Sequence, residues 1–218
     1  MSTLFTYSSC NGTKKNLSYK NFDDFKTVNS NFRLKSEAVV DSKLLPAYQC
    51  EEKINGVENS IPLSWEGVPK GTKSLAIVMY HYPHKKDKTE VNSYLILWNI
   101  SPSVTNIPYK LANDPRWCMG PNKDGVAISY TSPCSRGPGS HKYTIALFAL
   151  GEELSALPDS SSLDVNYTRF MEAISKSKVI DRTSIIIYSN YRITRKRSRL
   201  IGVSNKTFSE NQSVKKIS

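Results

Sequence analysis

Five short apolar runs constrain the fold of this 218-residue chain more than any other feature. Each run is rich in β-branched and aromatic residues and is bounded by turn residues, which is typical of buried strands. The runs lie at residues 75–80, 93–100, 126–130, 143–150 and 184–191. Only residues 161–178 have the apolar spacing of a helix, preceded by a Ser or Asp cap. The sequence therefore predicts a mainly β protein, an antiparallel two-sheet β-sandwich with one or two short helices.

The chain length fits one domain with two tails. Residues 1–30 are polar and aperiodic, which predicts a flexible or loosely docked arm. Residues 31–191 form the predicted domain, and residues 192–218 form a tail. No run of about 18 apolar residues is present, and the first residues lack a basic region followed by an apolar run. We expect a soluble chain without an export signal, located in the cytoplasm, or exported if the chain is a mature form.

The positive charge is concentrated at the end of the chain. The net charge is +11, and residues 192–218 supply +7 of it through eight lysines and arginines against one glutamate. Five of these cations lie within residues 192–199. Such a tail can contact a polyanion, either nucleic acid, an anionic membrane or an acidic protein surface, or it can be a solvated segment that keeps the protein soluble.

The four cysteines, Cys10, Cys50, Cys118 and Cys134, do not indicate a metal site. They are widely spaced and show no Cys-x-x-Cys pattern of the kind that binds zinc. Their number allows a disulfide without requiring one. We predict no cofactor and no structural metal.

A loop with sequence "SPCSRGPGSHKY" (132–143) predicts one wall of a pocket. His141 and Tyr143 are two residues apart at the start of an apolar run, so they point to the same side of a strand. Both side chains can donate hydrogen bonds to an oxyanion, and the Gly- and Pro-rich residues 133–139 allow the backbone to approach it. The alternative is a buried His and Tyr that satisfy each other.

Several motifs, in this order along the chain, resemble one known family. The segment "PAYQC" (46–50) precedes "PLSW" (62–65) and the turn "GVPKGTKS" (67–74). "GPNKDG" (120–125) follows, and then the loop 132–143 with its apolar strand. From about residue 32 to residue 191 the chain resembles the phosphatidylethanolamine-binding proteins, in particular their bacterial and archaeal Raf-kinase-inhibitor-like branch.

The resemblance implies a two-sheet β fold with a small anion pocket at one end, which holds phosphate or a phospholipid head group. His141 and Tyr143 match the pocket's His and Tyr, and Pro133 lies in the matching loop. The family's Asp-Pro-Asp-x-Pro segment is replaced here by Tyr-His-Tyr-Pro-His (80–84), and a pocket His is replaced by Tyr94. The predicted ligand-binding set is therefore His141, Tyr143, Pro133, His81, Tyr82 and Tyr94, in a degenerate pocket without carboxylates.

The function that the resemblance implies is a non-catalytic inhibitory or regulatory binding module, a kinase- or protease-inhibitor-like protein that docks its protein partner near the anion pocket. A small-ligand or phospholipid head-group carrier is the alternative. An enzyme built on Cys134 and His141 is a third hypothesis, although no carboxylate pair or nucleophile with a base lies in register with His141. A three-His metal site from His81, His84 and His141 competes with a solvated loop at residues 81–84, which we favour. The sequence does not indicate which oligomeric state the protein adopts.

Overall fold

The computed structural model describes residues 27–50, 59–84, 88–135 and 137–190. Within them lie ten strands, one α-helix and a single 3-10 turn at Pro46–Tyr48. The strands are β1 (Arg33–Lys35), β2 (Val39–Val40), β3 (Lys43–Leu44), β4 (Leu63–Glu66), β5 (Ser74–His81), β6 (Asn92–Ile100), β7 (Asn106–Ile107), β8 (Cys118–Met119), β9 (Ser140–Leu150) and β10 (Val179–Asn190). The helix α1 spans Tyr167–Lys176.

The strands form two sheets. A seven-stranded sheet has the order β2-β3-β10-β9-β5-β6-β8, and a three-stranded sheet has the order β1-β4-β7. All pairs are antiparallel except the single contact between β3 and β10. The mainly β, two-sheet prediction is confirmed.

Two hydrophobic cores lie on opposite faces of the seven-stranded sheet. Leu75, Ile77 and Met79 of β5 point into the core shared with the smaller sheet. Ala76 and Val78 point to the opposite face, where Phe170 and other residues of α1 cover the sheet. Because both faces are covered, all eight residues of β5 are buried, and the strand is a continuous apolar run without alternation. This is why the sequence signal for β5 is strong.

Four of the five predicted strands are present, and the fifth is wrong. Residues 126–130 form no strand, and only Ile128 makes an isolated bridge, to Pro121. The Asn122 carboxamide oxygen accepts hydrogen bonds from the Val126 and Ala127 N–H groups, which bends the chain into a turn. Val126 is consequently 73% exposed, although its residue type favours a strand.

The predicted helix exists, but its cap is different. Asn166 is the N-cap, and its side-chain oxygen accepts a hydrogen bond from the Arg169 N–H at 3.0 Å. The sequence prediction of a Ser or Asp cap was therefore wrong. Among the described residues, no helix is long and apolar enough to cross a membrane.

The first described residues are attached to the sandwich through Asp181. This side chain is 2% exposed, and its two carboxylate oxygens accept hydrogen bonds from the Val28 and Asn29 N–H groups, each at 2.7 Å. Asp181 lies where the pairing of β9 with β10 is irregular. The remainder of the predicted arm and the whole basic tail lie outside the described residues, and the domain boundaries stay a prediction.

Candidate functional site

Three strands of the seven-stranded sheet bring His81, Tyr94, His141 and Tyr143 together at one end. His81 closes β5 and pairs directly with Tyr143 of β9, and their rings stack with centroids 4.8 Å apart. The Tyr94 ring of β6 meets the Tyr143 ring edge-on at 5.1 Å, and the His141 ring lies 5.6 Å from that of His81. We call these four residues the ring cluster. The structure thus gathers four of the six residues that the sequence predicted as a site.

Three polar atoms of the ring cluster form hydrogen bonds with neighbouring protein groups. The Tyr143 hydroxyl is 2.6 Å from the Ser135 hydroxyl. His141 Nε2 donates to the Gly137 carbonyl oxygen at 3.0 Å, and His81 Nδ1 donates to the Lys142 carbonyl oxygen at 2.9 Å. Since a carbonyl only accepts, the proton of a neutral His81 lies on Nδ1. An incoming anion would therefore compete with hydrogen bonds that already exist.

Burial disfavours the charged forms of three members of the ring cluster, His81, Tyr94 and Tyr143. Tyr143 is fully buried, and His81 is 7% exposed. Burial lowers the pKa of His81, an effect that the hydrogen bond to Lys142 opposes and the neighbouring His141 reinforces. Burial, followed by the adjacent Tyr143, raises the pKa of Tyr94 far above its ordinary value. Burial also raises the pKa of Tyr143. These three side chains therefore offer an anion neutral donors and acceptors rather than a fixed positive charge.

A disulfide holds the loop that closes the cluster. Cys50 and Cys134 are bonded, with their Cα atoms 4.6 Å apart, and the Cys50 N–H donates to the Pro133 carbonyl oxygen at 3.2 Å. The sequence left this disulfide open, and the structure forms it. Ser135, which meets Tyr143, directly follows the bridge. The disulfide therefore anchors the segment that covers the ring cluster, whereas Pro133 contributes its carbonyl to this anchor.

The disulfide bears on the hypothesis of a cysteine enzyme. Cys134 has no free thiol in this state, so it cannot act as the nucleophile beside His141. Cys118 is the free cysteine among the described residues, and it is buried. Burial, followed by Asp159 and Glu153, raises the pKa of its thiol, which disfavours the reactive thiolate.

Tyr82 lies apart from the ring cluster. It follows His81 directly and points to the opposite face of the sheet, where its ring meets the Tyr80 ring edge-on at 5.3 Å. The Lys88 ammonium lies 5.7 Å from the centre of the Tyr82 ring. The strand alternation that brings His81 to Tyr143 is what directs Tyr82 away.

His84 also lies apart from the other two histidines. Its Nε2 is 3.6 Å from a carboxylate oxygen of Glu90, and both side chains are exposed. Within the part of the chain that the structure describes, no three His, Cys, Asp or Glu side chains are placed to hold a metal ion. The structure therefore brings His81 and His141 together without the third imidazole that the three-His hypothesis requires.

Sequence reasoning missed Ser135 and Gly137, which bind the ring cluster, and it also missed a cleft at the other end of β6. That cleft has a volume of about 470 Å³ and is lined by Asn99, Arg116, Trp117, Glu153 and Asp159, among others. Both of its carboxylates are exposed, and the Arg116 guanidinium is bound by Asp114 at 2.9 Å. No short motif in the sequence marks this cleft, because its residues come from three separate segments.

Comparisons with known proteins identify the family. The phosphatidylethanolamine-binding protein family matches residues 35–189. A UPF0098 protein of the archaeon Methanothermobacter thermautotrophicus is 30% identical over 152 residues, which cover 67% of this chain and 95% of that protein. The chain therefore belongs to the phosphatidylethanolamine-binding protein family. The resemblance stated from the sequence motifs is confirmed.

Two solved bacterial structures share the fold. The phosphatidylethanolamine-binding protein homologue CT736 of Chlamydia trachomatis has a TM-score of 0.59 and 24% identity, covering 75% of this chain and 99% of its own. YbcL of Escherichia coli, a member of the same family, has a TM-score of 0.60 and 22% identity, covering 75% of this chain and 100% of its own. The family supports a binding protein of this fold.

Proposed function

We propose that this chain is a non-catalytic regulatory binding protein that docks a protein partner at the sheet end carrying the ring cluster. The family resemblance suggests a kinase or a protease as the partner. The observation that carries the proposal is that Tyr143, His141 and His81 each form a hydrogen bond within the protein, while burial disfavours charge on His81 and Tyr143. Because an anion would have to compete with these bonds, we assign recognition to the surface around the ring cluster.

The same observation predicts weak binding of small anions. Phosphate and phosphoethanolamine should bind with dissociation constants above about 1 mM, which corresponds to less than about 4 kcal/mol of affinity. A charge-assisted hydrogen bond contributes roughly 1.5–3 kcal/mol, and the neutral His81 and Tyr94 supply none. Titration calorimetry measures this directly.

A double variant that restores the family pattern sharpens the test. His81→Asp with Tyr94→His returns a carboxylate and a second imidazole to the pocket, and it should bind phosphoethanolamine more tightly than the unmodified chain. Tyr109→Phe, a change at an aromatic residue outside the ring cluster, is the matched control. Tight binding of phosphoethanolamine by the unmodified chain would instead favour the head-group carrier and would contradict our proposal.

Site-specific crosslinking tests the docking surface. A photoreactive residue at Pro138, which is exposed and directly follows the Gly137 that contacts His141, should capture a protein partner in a lysate of the native host. The same residue at Lys70, in the turn at the opposite end of β5, is the control and should capture none. Capture from Lys70 but not from Pro138 would contradict docking at the ring cluster.

A further inference from the structure

The face of the seven-stranded sheet beside α1 presents an exposed tyrosine between two lysines. Strand pairing places Tyr188 of β10 directly opposite Lys43 of β3 on one side and Lys142 of β9 on the other. Directly paired residues point to the same side of a sheet, so these three side chains form a row. Ile186, two residues before Tyr188, points the same way. We call these four residues the lysine–tyrosine face.

This face is open to solvent and positively charged. Tyr188 is 41% exposed and Ile186 is 38% exposed, and both lysines are exposed. Among the residues that the structure describes, neither lysine forms an ion pair. One carboxylate, Asp41, lies nearby in the turn between β2 and β3. Within the described part of the chain, the two ammonium groups therefore have no carboxylate at ion-pairing distance.

In the sequence, further positive charge follows soon after the end of β10. β10 ends at Asn190, and five lysines and arginines follow within residues 192–199. The tail has many cations but few aromatic residues to interleave with them, and the sheet supplies a solvent-exposed ring. Cations that follow a sugar–phosphate backbone, together with an aromatic ring on which a base stacks, are the features of proteins that bind single-stranded nucleic acid.

We propose that the lysine–tyrosine face binds single-stranded nucleic acid, with a base stacked on Tyr188 and the flanking phosphates contacted by Lys43 and Lys142. The two lysines lie on the strands on either side of β10, so their Cα atoms are separated by about 10 Å. Their long, flexible side chains reach phosphates on both sides of one stacked base. This proposal is independent of the ring cluster, which lies on the opposite face of the sheet.

The position of α1 favours a linear polymer over a membrane surface. The helix packs on the same face of the sheet, where Phe170 contacts Phe148 of β9. A helix has a diameter of about 10 Å, so α1 rises well above the uncovered strands. A planar bilayer resting on α1 would not reach Tyr188, whereas a flexible single strand can lie along the step.

Fluorescence anisotropy of the full chain with labelled oligothymidine of about 12 nucleotides tests the stacking contact. Tyr188→Thr should weaken binding by between about 5-fold and 150-fold, since stacking on one aromatic is worth about 1–3 kcal/mol per base. Tyr188→Phe keeps the ring and should bind normally. Tyr109→Thr, which removes another partly exposed tyrosine, is the matched control.

The salt dependence of binding tests the lysines. Lys43→Gln with Lys142→Gln should lower the slope of log affinity against log salt by about 1.4, or about 0.7 for each lost phosphate contact. Lys70→Gln with Lys73→Gln removes the same charge at the other end of β5 and should leave the slope unchanged.

Three results would overturn the proposal. Equal affinities of Tyr188→Thr and Tyr109→Thr for oligothymidine would show that no base stacks on Tyr188. Tighter binding of a duplex than of the single strand would also contradict the proposal. Binding to vesicles of phosphatidylcholine and phosphatidylglycerol, without binding to oligothymidine, would identify a membrane surface as the partner.

Discussion

The Cys50–Cys134 disulfide should contribute a large part of the free energy of unfolding. It joins residues 84 positions apart in sequence. In the chain-entropy account, closing a loop of this length in the unfolded state is worth about 4.5 kcal/mol at 25 °C, and measured values for disulfides range from about 0 to 5 kcal/mol. We therefore expect Cys50→Ser with Cys134→Ser to lower the free energy of unfolding by about 2–4.5 kcal/mol. For a domain of this size, that loss lowers Tm by roughly 4–18 °C.

Urea denaturation of the two single variants and the double variant measures this loss. Because one missing sulfur breaks the bond, each single variant should lose nearly as much as the double variant. Peptide mapping by mass spectrometry under non-reducing conditions first verifies that Cys50 and Cys134 are linked. Single losses that add up to the double loss, or a double loss below about 1 kcal/mol, would refute the reasoning from chain entropy.

Three further predictions follow from the fold and the charges. Residues 31–191 expressed alone should unfold cooperatively. Residues 27–191 should be more stable by about 1.5–3 kcal/mol, because this longer segment retains the hydrogen bonds from the Val28 and Asn29 N–H groups to the Asp181 carboxylate. Thermal melts measure both, and equal stability would contradict the role of Asp181. Deleting residues 192–218 should lower the salt at which the protein leaves heparin, and unchanged retention would locate the contact on the sandwich. Below about pH 6.5 the free energy of unfolding should fall, since the unfolded chain protonates His81 while the folded chain, with its lowered His81 pKa, does not. His81→Gln should flatten this pH dependence of the free energy of unfolding, and His84→Gln should not. Identical pH profiles of the two variants would contradict the role of His81.

The architecture was predictable because its long strands have a strong local signal. β5, β6 and β9 are apolar on both faces over most of their length, which their sequences express without reference to the rest of the chain. β10 is recognisable by its run of three isoleucines, Ile185–Ile187. The smaller sheet had no such signal. β1 and β7 have three and two residues, and they are strands because β4 lies between them. Residues 126–130 show the converse case, in which Asn122 draws a β-prone segment into a turn.

The candidate site was predictable in part. His141 and Tyr143 lie close together in sequence, and the family resemblance added His81 and Tyr94. Strand alternation alone excludes Tyr82 from the side of the sheet that His81 faces, so this separation could have been inferred. The roles of Ser135 and Gly137 could not, because they depend on how the loop folds back after the disulfide. The assignment of a ligand to these residues stays a prediction.

The long central strands have a consequence for local opening of the backbone. β5 and β9 each supply side chains to both hydrophobic cores, and a ladder of hydrogen bonds joins the two strands. The two strands can therefore separate only when both cores open together. In amide hydrogen exchange, the central amides of β5 and β9 should therefore exchange only through global unfolding. α1 and the three-stranded sheet each contact one core only, and their amides can exchange through smaller openings. The slowest amides of β5 thus measure the stability of the whole sandwich without any denaturant.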